Sequence, residues 1–183
     1  MKRILMIIGS LRSDSFNKQL ADVVTEMMAG IAEVSVLEYS DLPLMNQDIE
    51  YPAPEAVSRI RREVKAVDGI WIFSPEYNYQ IPGVLKNLLD WLSRPLDPSD
   101  RKRETVVVKG KAVTISSVAG GSSGAGVRKN LSELLEVMAM NVVGGQGTGV
   151  SLDREAFTTG KLSLSDEKKD ELKKQVELFL NAL

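Results

Sequence analysis

Residues 4–17, Ile4-Leu5-Met6-Ile7-Ile8-Gly9-Ser10-Leu11-Arg12-Ser13-Asp14-Ser15-Phe16-Asn17, read as a buried strand that runs into a polar loop at the start of a helix. Ile4 to Ile8 is a continuous apolar run rich in β-branched residues, the pattern of a strand central to a parallel sheet. Gly9 permits a sharp exit. Beyond it, Ser10, Arg12, Ser15 and Asn17 crowd hydroxyl, guanidinium and amide donors into one turn. Apolar residues then recur at Leu20, Val23, Val24, Met27 and Ile31, so a helix begins at about Ser15. A helix N-terminus offers free N–H groups and the positive end of a dipole, and the added donors suit a dianionic phosphate monoester. A capping role accounts for Ser15 but leaves Arg12 without a purpose.

Strand and helix patterns alternate through the rest of the chain. A second strand reads Glu33 to Leu37 and is followed by a long loop, Tyr39 to Pro54. A helix follows on Val57, Ile60, Val64 and Val67, then a fully apolar third strand, Gly69 to Phe73. Pro82-Gly83 opens a helix with a wide apolar face on Val84, Leu85, Leu88, Leu89 and Leu92. The charged stretch Pro95 to Glu104 reads as a solvated connection to a fourth strand, Ala112 to Val118. After a Gly/Ser loop come a helix on Val127, Leu131, Leu134, Leu135 and Met138, and a short fifth strand near Val142-Val143. Ser165 caps a last helix that turns Leu172, Val176, Phe179 and Leu183 inward.

Five strands alternating with helices imply an α/β fold, a doubly wound parallel sheet with helices on both faces and right-handed crossovers. The first loop chooses between the two common strand orders. It lacks Gly-x-Gly-x-x-Gly and the Gly-Lys-Ser/Thr of a P-loop, and uses hydroxyls and an arginine instead. That suits a mononucleotide such as FMN and the flavodoxin-like order 2-1-3-4-5.

Bulk properties narrow the function. At 183 residues the chain is expected to form a single flavodoxin-like domain, 1–183. A net charge of −2 argues against nucleic acid or an anionic membrane as partner, since both require a basic face. Met1-Lys2-Arg3 runs directly into a strand without the apolar core of a signal peptide, so a cytoplasmic location is expected. The chain has neither cysteine nor histidine, which removes thiol and imidazole chemistry and nearly all zinc sites. An enzyme built this way borrows its reactive group from a cofactor.

In the order 2-1-3-4-5, strands 1, 3 and 4 surround the switch point, and ligands sit off their carboxyl ends. The loops leaving those strands are the unusual ones. The first, Gly9 to Asn17, suits a phosphate. Ser74-Pro75-Glu76-Tyr77-Asn78-Tyr79 offers aromatic surface and a stiff proline turn to a planar ring. The third, Ser116 to Gly124, is rich in glycine, so its N–H groups are open to close approach by ring carbonyls.

Gly9 to Asn17, together with the long stretch Pro75-Glu76-Tyr77-Asn78-Tyr79-Gln80-Ile81-Pro82-Gly83 and on to Arg94, resembles the NAD(P)H-dependent FMN reductase family. That family includes quinone, chromate and azo-dye reductases, and Val118-Ala119-Gly120-Gly121 resembles its azobenzene-reductase branch. The resemblance implies FMN held non-covalently, with its phosphate on Ser10, Arg12, Ser15 and Asn17 and with Phe16 in the same loop. The ring would lie against Pro75, Glu76, Tyr77 and Asn78 on one side and Ser117, Val118, Gly120 and Gly121 on the other. NADPH or NADH would serve as co-substrate in two-electron ping-pong hydride transfer to quinones, azo compounds, flavins or similar acceptors. No side chain is needed as acid or base, and no metal is expected. The resemblance further implies a homodimer or homotetramer with FMN near the interface, and the apolar faces of helices 84–92 and 127–138 agree with a partner helix. A flavodoxin-type electron carrier without a nicotinamide site is the rival reading. Its usual threonine-rich loop and strongly acidic surface are not seen here. The stretches Asp97 to Glu104 and Gly144 to Leu164 carry no part of the resemblance.

Overall fold

The computed structural model describes residues Met1 to Leu183. The chain runs β1 (Lys2–Ile8), α1 (Phe16–Met27), β2 (Ala32–Val36), α2 (Glu55–Ala66), β3 (Gly69–Phe73) and α3 (Gly83–Leu92). It continues as β4 (Ala112–Ala119), α4 (Ala125–Val137), β5 (Asn141–Val142), β6 (Thr148–Ser151), α5 (Arg154–Thr159) and α6 (Asp166–Asn181). The sheet is parallel with order β2-β1-β3-β4-β5, the expected flavodoxin-like arrangement with helices on both faces.

Period-2 alternation divides the core. Ile4, Met6 and Ile8 of β1, with Trp71 and Phe73 of β3, pack under α1 and α6 against Leu20, Val24, Leu172, Val176 and Phe179. Leu5 and Ile7, with Ile70, Ile72, Val113 and Ile115, face α2, α3 and α4. The central strands are therefore buried on both sides, which is why they read as unbroken apolar runs.

Two expectations change. The last sheet position is shared by two strands: β5 pairs with Ala112 and Val113 at the start of β4, and β6 pairs with Ser116 to Ala119 at its end. Gly144, Gly145 and Gly147, all with positive φ, make the turn between them. The second change concerns the leucine-rich helix faces. Leu85, Leu88, Leu89 and Leu92, and Val127, Leu131 and Leu135 opposite, are at most 2% exposed within this one chain. Their apolar surface is spent on the chain's own sheet, not left over for a partner. A carboxylate at such a position would have no partner in the core. Leu89→Glu is therefore expected to unfold the protomer, with loss of the cooperative thermal transition in circular dichroism. A variant that stays folded and merely dissociates would contradict this.

No helix is long and apolar enough to cross a membrane.

Candidate flavin site

The register places Ile8, Phe73 and Ser116 side by side at one sheet edge, so the loops after β1, β3 and β4 leave together. They enclose a cavity of about 350 Å³, within the range of small-molecule sites. Its lining takes Ser10, Arg12, Ser15, Phe16 and Asn17 from the first loop, Pro75, Glu76 and Tyr77 from the second, and Val118, Ala119 and Gly120 from the third. Leu152, Phe157 and Gly160 complete it.

The first loop is built to receive an anion. Ser15 caps α1, its Oγ accepting from Lys18 N at 3.1 Å, and the first turn of α1 contains no acidic residue. The backbone N–H groups of Ser10, Leu11, Ser13, Asp14, Phe16 and Asn17 find no acceptor within the protein. Arg12 has no carboxylate partner; its guanidinium lies 5.8 Å from the centre of the Phe16 ring. A dipole end, free donors and an unpaired cation converge on one side of the cavity.

Asn17 acts differently from the expectation. Its Nδ2 donates to Val118 O at 3.0 Å, and its Oδ1 accepts from Val118 N at 2.9 Å. The last β3–β4 register pair is Phe73 with Ser116, so Val118 has no strand partner on that side, and Asn17 supplies one. Its side chain clamps the first loop to the third, and only its backbone N–H remains for a phosphate.

The second loop is also fixed from within. Asn78 and Tyr79 take positive φ, 54° and 61°, at the tip of a tight turn closed by Tyr77 N to Gln80 O and Gln80 N to Tyr77 O. Asparagine tolerates this region, whereas a tyrosine there is strained, a feature that concentrates at functional sites. The turn lifts Asn78 away from the cavity and leaves Tyr77 and Tyr79 exposed, at 52% and 71%. Glu76 turns its carboxylate toward α4: Oε2 accepts from Val127 N at 2.9 Å, and Oε1 accepts from the Ser122 hydroxyl. Glu76 thus braces α4 and borders the cavity without offering it a free carboxylate.

In the third loop, Ser117 is fully buried and donates to Ser74 O at 2.7 Å, tying β4 to the end of β3, so it does not reach the cavity. Gly124, at φ 71°, starts α4 from the left-handed region, and a Cβ there would stand 1.8 Å from Ser117 Oγ. Gly120 and Gly121 have open space where a side chain would be, and their N–H groups have no acceptor in the protein. Gly120 lines the cavity; Gly121 lies just beyond it. A planar group with carbonyl acceptors fits this edge.

Tyr39 anchors the end of β1 by donating to Ile8 O at 2.6 Å. Burial, with the Tyr77 phenol nearby, pushes its hydroxyl above the ordinary range and keeps it a neutral donor.

Sequence reasoning missed the wall contributed by residues 152–160. Helix α5 is six residues long with no apolar period, so it gives no helical signal. It is docked on α1 through Gln19, which donates to Gly160 O and accepts from Leu162 N, both at 2.8 Å. Phe157 is left 66% exposed at the rim. An aromatic contact of this kind contributes about 0.5–1.5 kcal/mol. Phe157→Ala is expected to weaken FMN binding roughly 2- to 10-fold. Its stability should stay within about 0.5 kcal/mol of wild type, because the ring covers little core. An unchanged FMN affinity in a fluorescence titration would remove Phe157 from the site.

Fold and site together define a flavodoxin-like mononucleotide-binding protein. A family model described as NADPH-dependent FMN reductase matches residues 2–153, and the chain belongs to this family. A 2-hydroxy-1,4-benzoquinone reductase from a Burkholderia species is 34% identical over 143 residues, covering 76% of this chain and 74% of the relative. A quinone reductase of Pseudomonas putida is 36% identical over 122 residues. That match covers 66% of this chain and 62% of the relative, a little under two thirds of its length. Among solved structures, the flavoenzyme NAD(P)H:(acceptor) oxidoreductase of Paracoccus denitrificans superposes with a TM-score of 0.84 at 26% identity. The superposition covers 99% of this chain and 96% of that one.

Proposed function

We propose that residues 1–183 act as a single FMN-binding unit that moves two electrons from NAD(P)H to small-molecule acceptors, quinones first among them. The observation that carries this reading is the unpaired Arg12 beside six acceptor-free N–H groups at one end of the cavity. The same cavity is lined by Gly120, whose N–H, like that of Gly121 next to it, has no acceptor in the protein. Ser10, Arg12, Ser15 and the backbone of Phe16 and Asn17 would hold the phosphate. Pro75, Tyr77 and Val118 would flank the ring, and the N–H groups of Gly120 and Gly121 would meet its carbonyl edge, favouring electron uptake. FMN held there would supply the hydride chemistry that links the nicotinamide to the acceptor. Tyr77 and Tyr79, both exposed, border the open side where nicotinamide and acceptor would alternate.

The quinone relatives support quinones as substrates; azo compounds and free flavin extend the same reading to any acceptor that reaches an open ring face. A cytoplasmic location belongs to this reading. So does a homodimer or homotetramer, supported by exposed apolar residues around the start of α3 and not by its buried leucines. Leu44, Tyr77, Tyr79 and Val84 are 82%, 52%, 71% and 37% exposed. Leu44 stands beside α3, between Pro43 and Met45, which are both bonded to Asn87.

The test is NADPH oxidation followed at constant NADPH with benzoquinone as acceptor. Oxidation should require both acceptor and FMN, and should return on adding FMN to the stripped protein. Absence of acceptor-dependent oxidation while FMN is bound would favour a flavodoxin-type carrier instead.

A further inference from the structure

Arg61, on α2, is only 5% exposed. Its Nη2 donates to Trp91 O, near the C-terminal end of α3, at 3.2 Å, and its Nε is buried with no partner at all. The carboxylate that acts on it is Glu50, itself 3% exposed. Both Glu50 oxygens are already taken by Arg94, at 2.7 and 3.0 Å. Two guanidiniums therefore share one buried carboxylate, and the cluster keeps a surplus positive charge. An uncompensated charge away from water is costly, so such a cluster favours the arrival of an anion.

A route for that anion is present. Arg61 lines a cavity of about 390 Å³ together with Ser58, Arg62 and Lys65, one helical face of α2. The opposite wall, with Pro52, Leu96 and Val107, is apolar. Lys65 has no carboxylate partner, and Arg62 holds only the exposed Glu55, a pairing worth little in water. Nothing in the flavin cavity is shared with this one.

We propose that this cavity is a second ligand site, specific for a phosphate group carried by a small organic monoester with an apolar body. Arg61 and Lys65 hold the dianion, Ser58 donates to it, and the wall of Pro52, Leu96 and Val107 covers the body. A dianion matches the two unpaired cations better than a single carboxylate does.

Isothermal titration of the FMN-loaded protein, with FMN in excess and ionic strength held constant, tests this with inorganic phosphate and phenyl phosphate. Each probe should bind at one site per chain, with phenyl phosphate about tenfold tighter because its ring leaves water. Lys65→Ala, at the cavity mouth, and Arg61→Met should each weaken phenyl phosphate about tenfold or more. Ser58→Ala with Lys65→Ala gives the same reading should Arg61→Met fail to fold. Absence of saturable binding, or binding that none of these variants changes, would overturn the proposal. Equal affinity for the two probes would overturn the monoester assignment. Binding lost on Arg12→Ala but kept in Lys65→Ala would place the anion in the first loop and overturn it equally.

Discussion

Replacing Arg12 with alanine is expected to weaken FMN binding by about 1.5–3 kcal/mol, roughly 10- to 150-fold, while leaving riboflavin binding nearly unchanged. The side chain is exposed and has no carboxylate partner, so removing it costs the fold little. Its charge stands at the uncompensated positive end of α1, where only the phosphate of FMN would meet it. Paired titrations of wild type and variant with both ligands, followed by flavin fluorescence, measure the difference. Equal losses for FMN and riboflavin would show that the loop does not hold the phosphate. Ser15→Ala is a less clean probe, because Ser15 also caps α1, and its loss would lower stability by about 1 kcal/mol in the protein without ligand.

Asn17→Ala should have the larger effect on the protein itself. The substitution leaves Val118 N–H and C=O buried without partners, at about 1–3 kcal/mol for each. Stability in urea is expected to fall by about 2–5 kcal/mol, with an unchanged denaturant slope. FMN affinity should fall as well, because the clamp is what holds the first loop against the third. A loss below about 1 kcal/mol would mean that Val118 finds other partners or water and that the clamp is dispensable.

The contrast between Arg12 and Asn17 shows what sequence could and could not reveal. The central strands followed from buried apolar runs, Ile4 to Ile8 and Gly69 to Phe73, because burial on both faces leaves an unmistakable pattern, and their order followed from the phosphate-type loop after the first. The cavity followed from three unusual loops that this order brings together. Side-chain assignments inside the loops were harder, since asparagine, glutamate and serine serve ligands and backbone with the same atoms. Asn17, Glu76 and Ser117 were each expected at the ligand, and each spends its side chain on a neighbouring loop or strand. Arg12 had no such alternative partner within reach. The share of β6 and α5 was illegible for another reason: four residues containing a glycine, and a six-residue helix, carry no periodic signal. Their places are set by tertiary contacts, β6 along the end of β4 and α5 against Gln19. The helix faces were legible as apolar, but amount of apolar surface does not say what covers it. The chain's own sheet does.

We propose that the three loops and the 152–160 wall together hold one FMN per chain, by its phosphate and its ring edge. Titration of the flavin-free protein with FMN, riboflavin and FAD, followed by fluorescence quenching, tests it most directly. Saturation is expected at one FMN per chain, with riboflavin weaker by the contribution of the phosphate loop and FAD weaker than FMN. FAD or NAD binding in preference to FMN, or riboflavin binding as tightly as FMN, would contradict it.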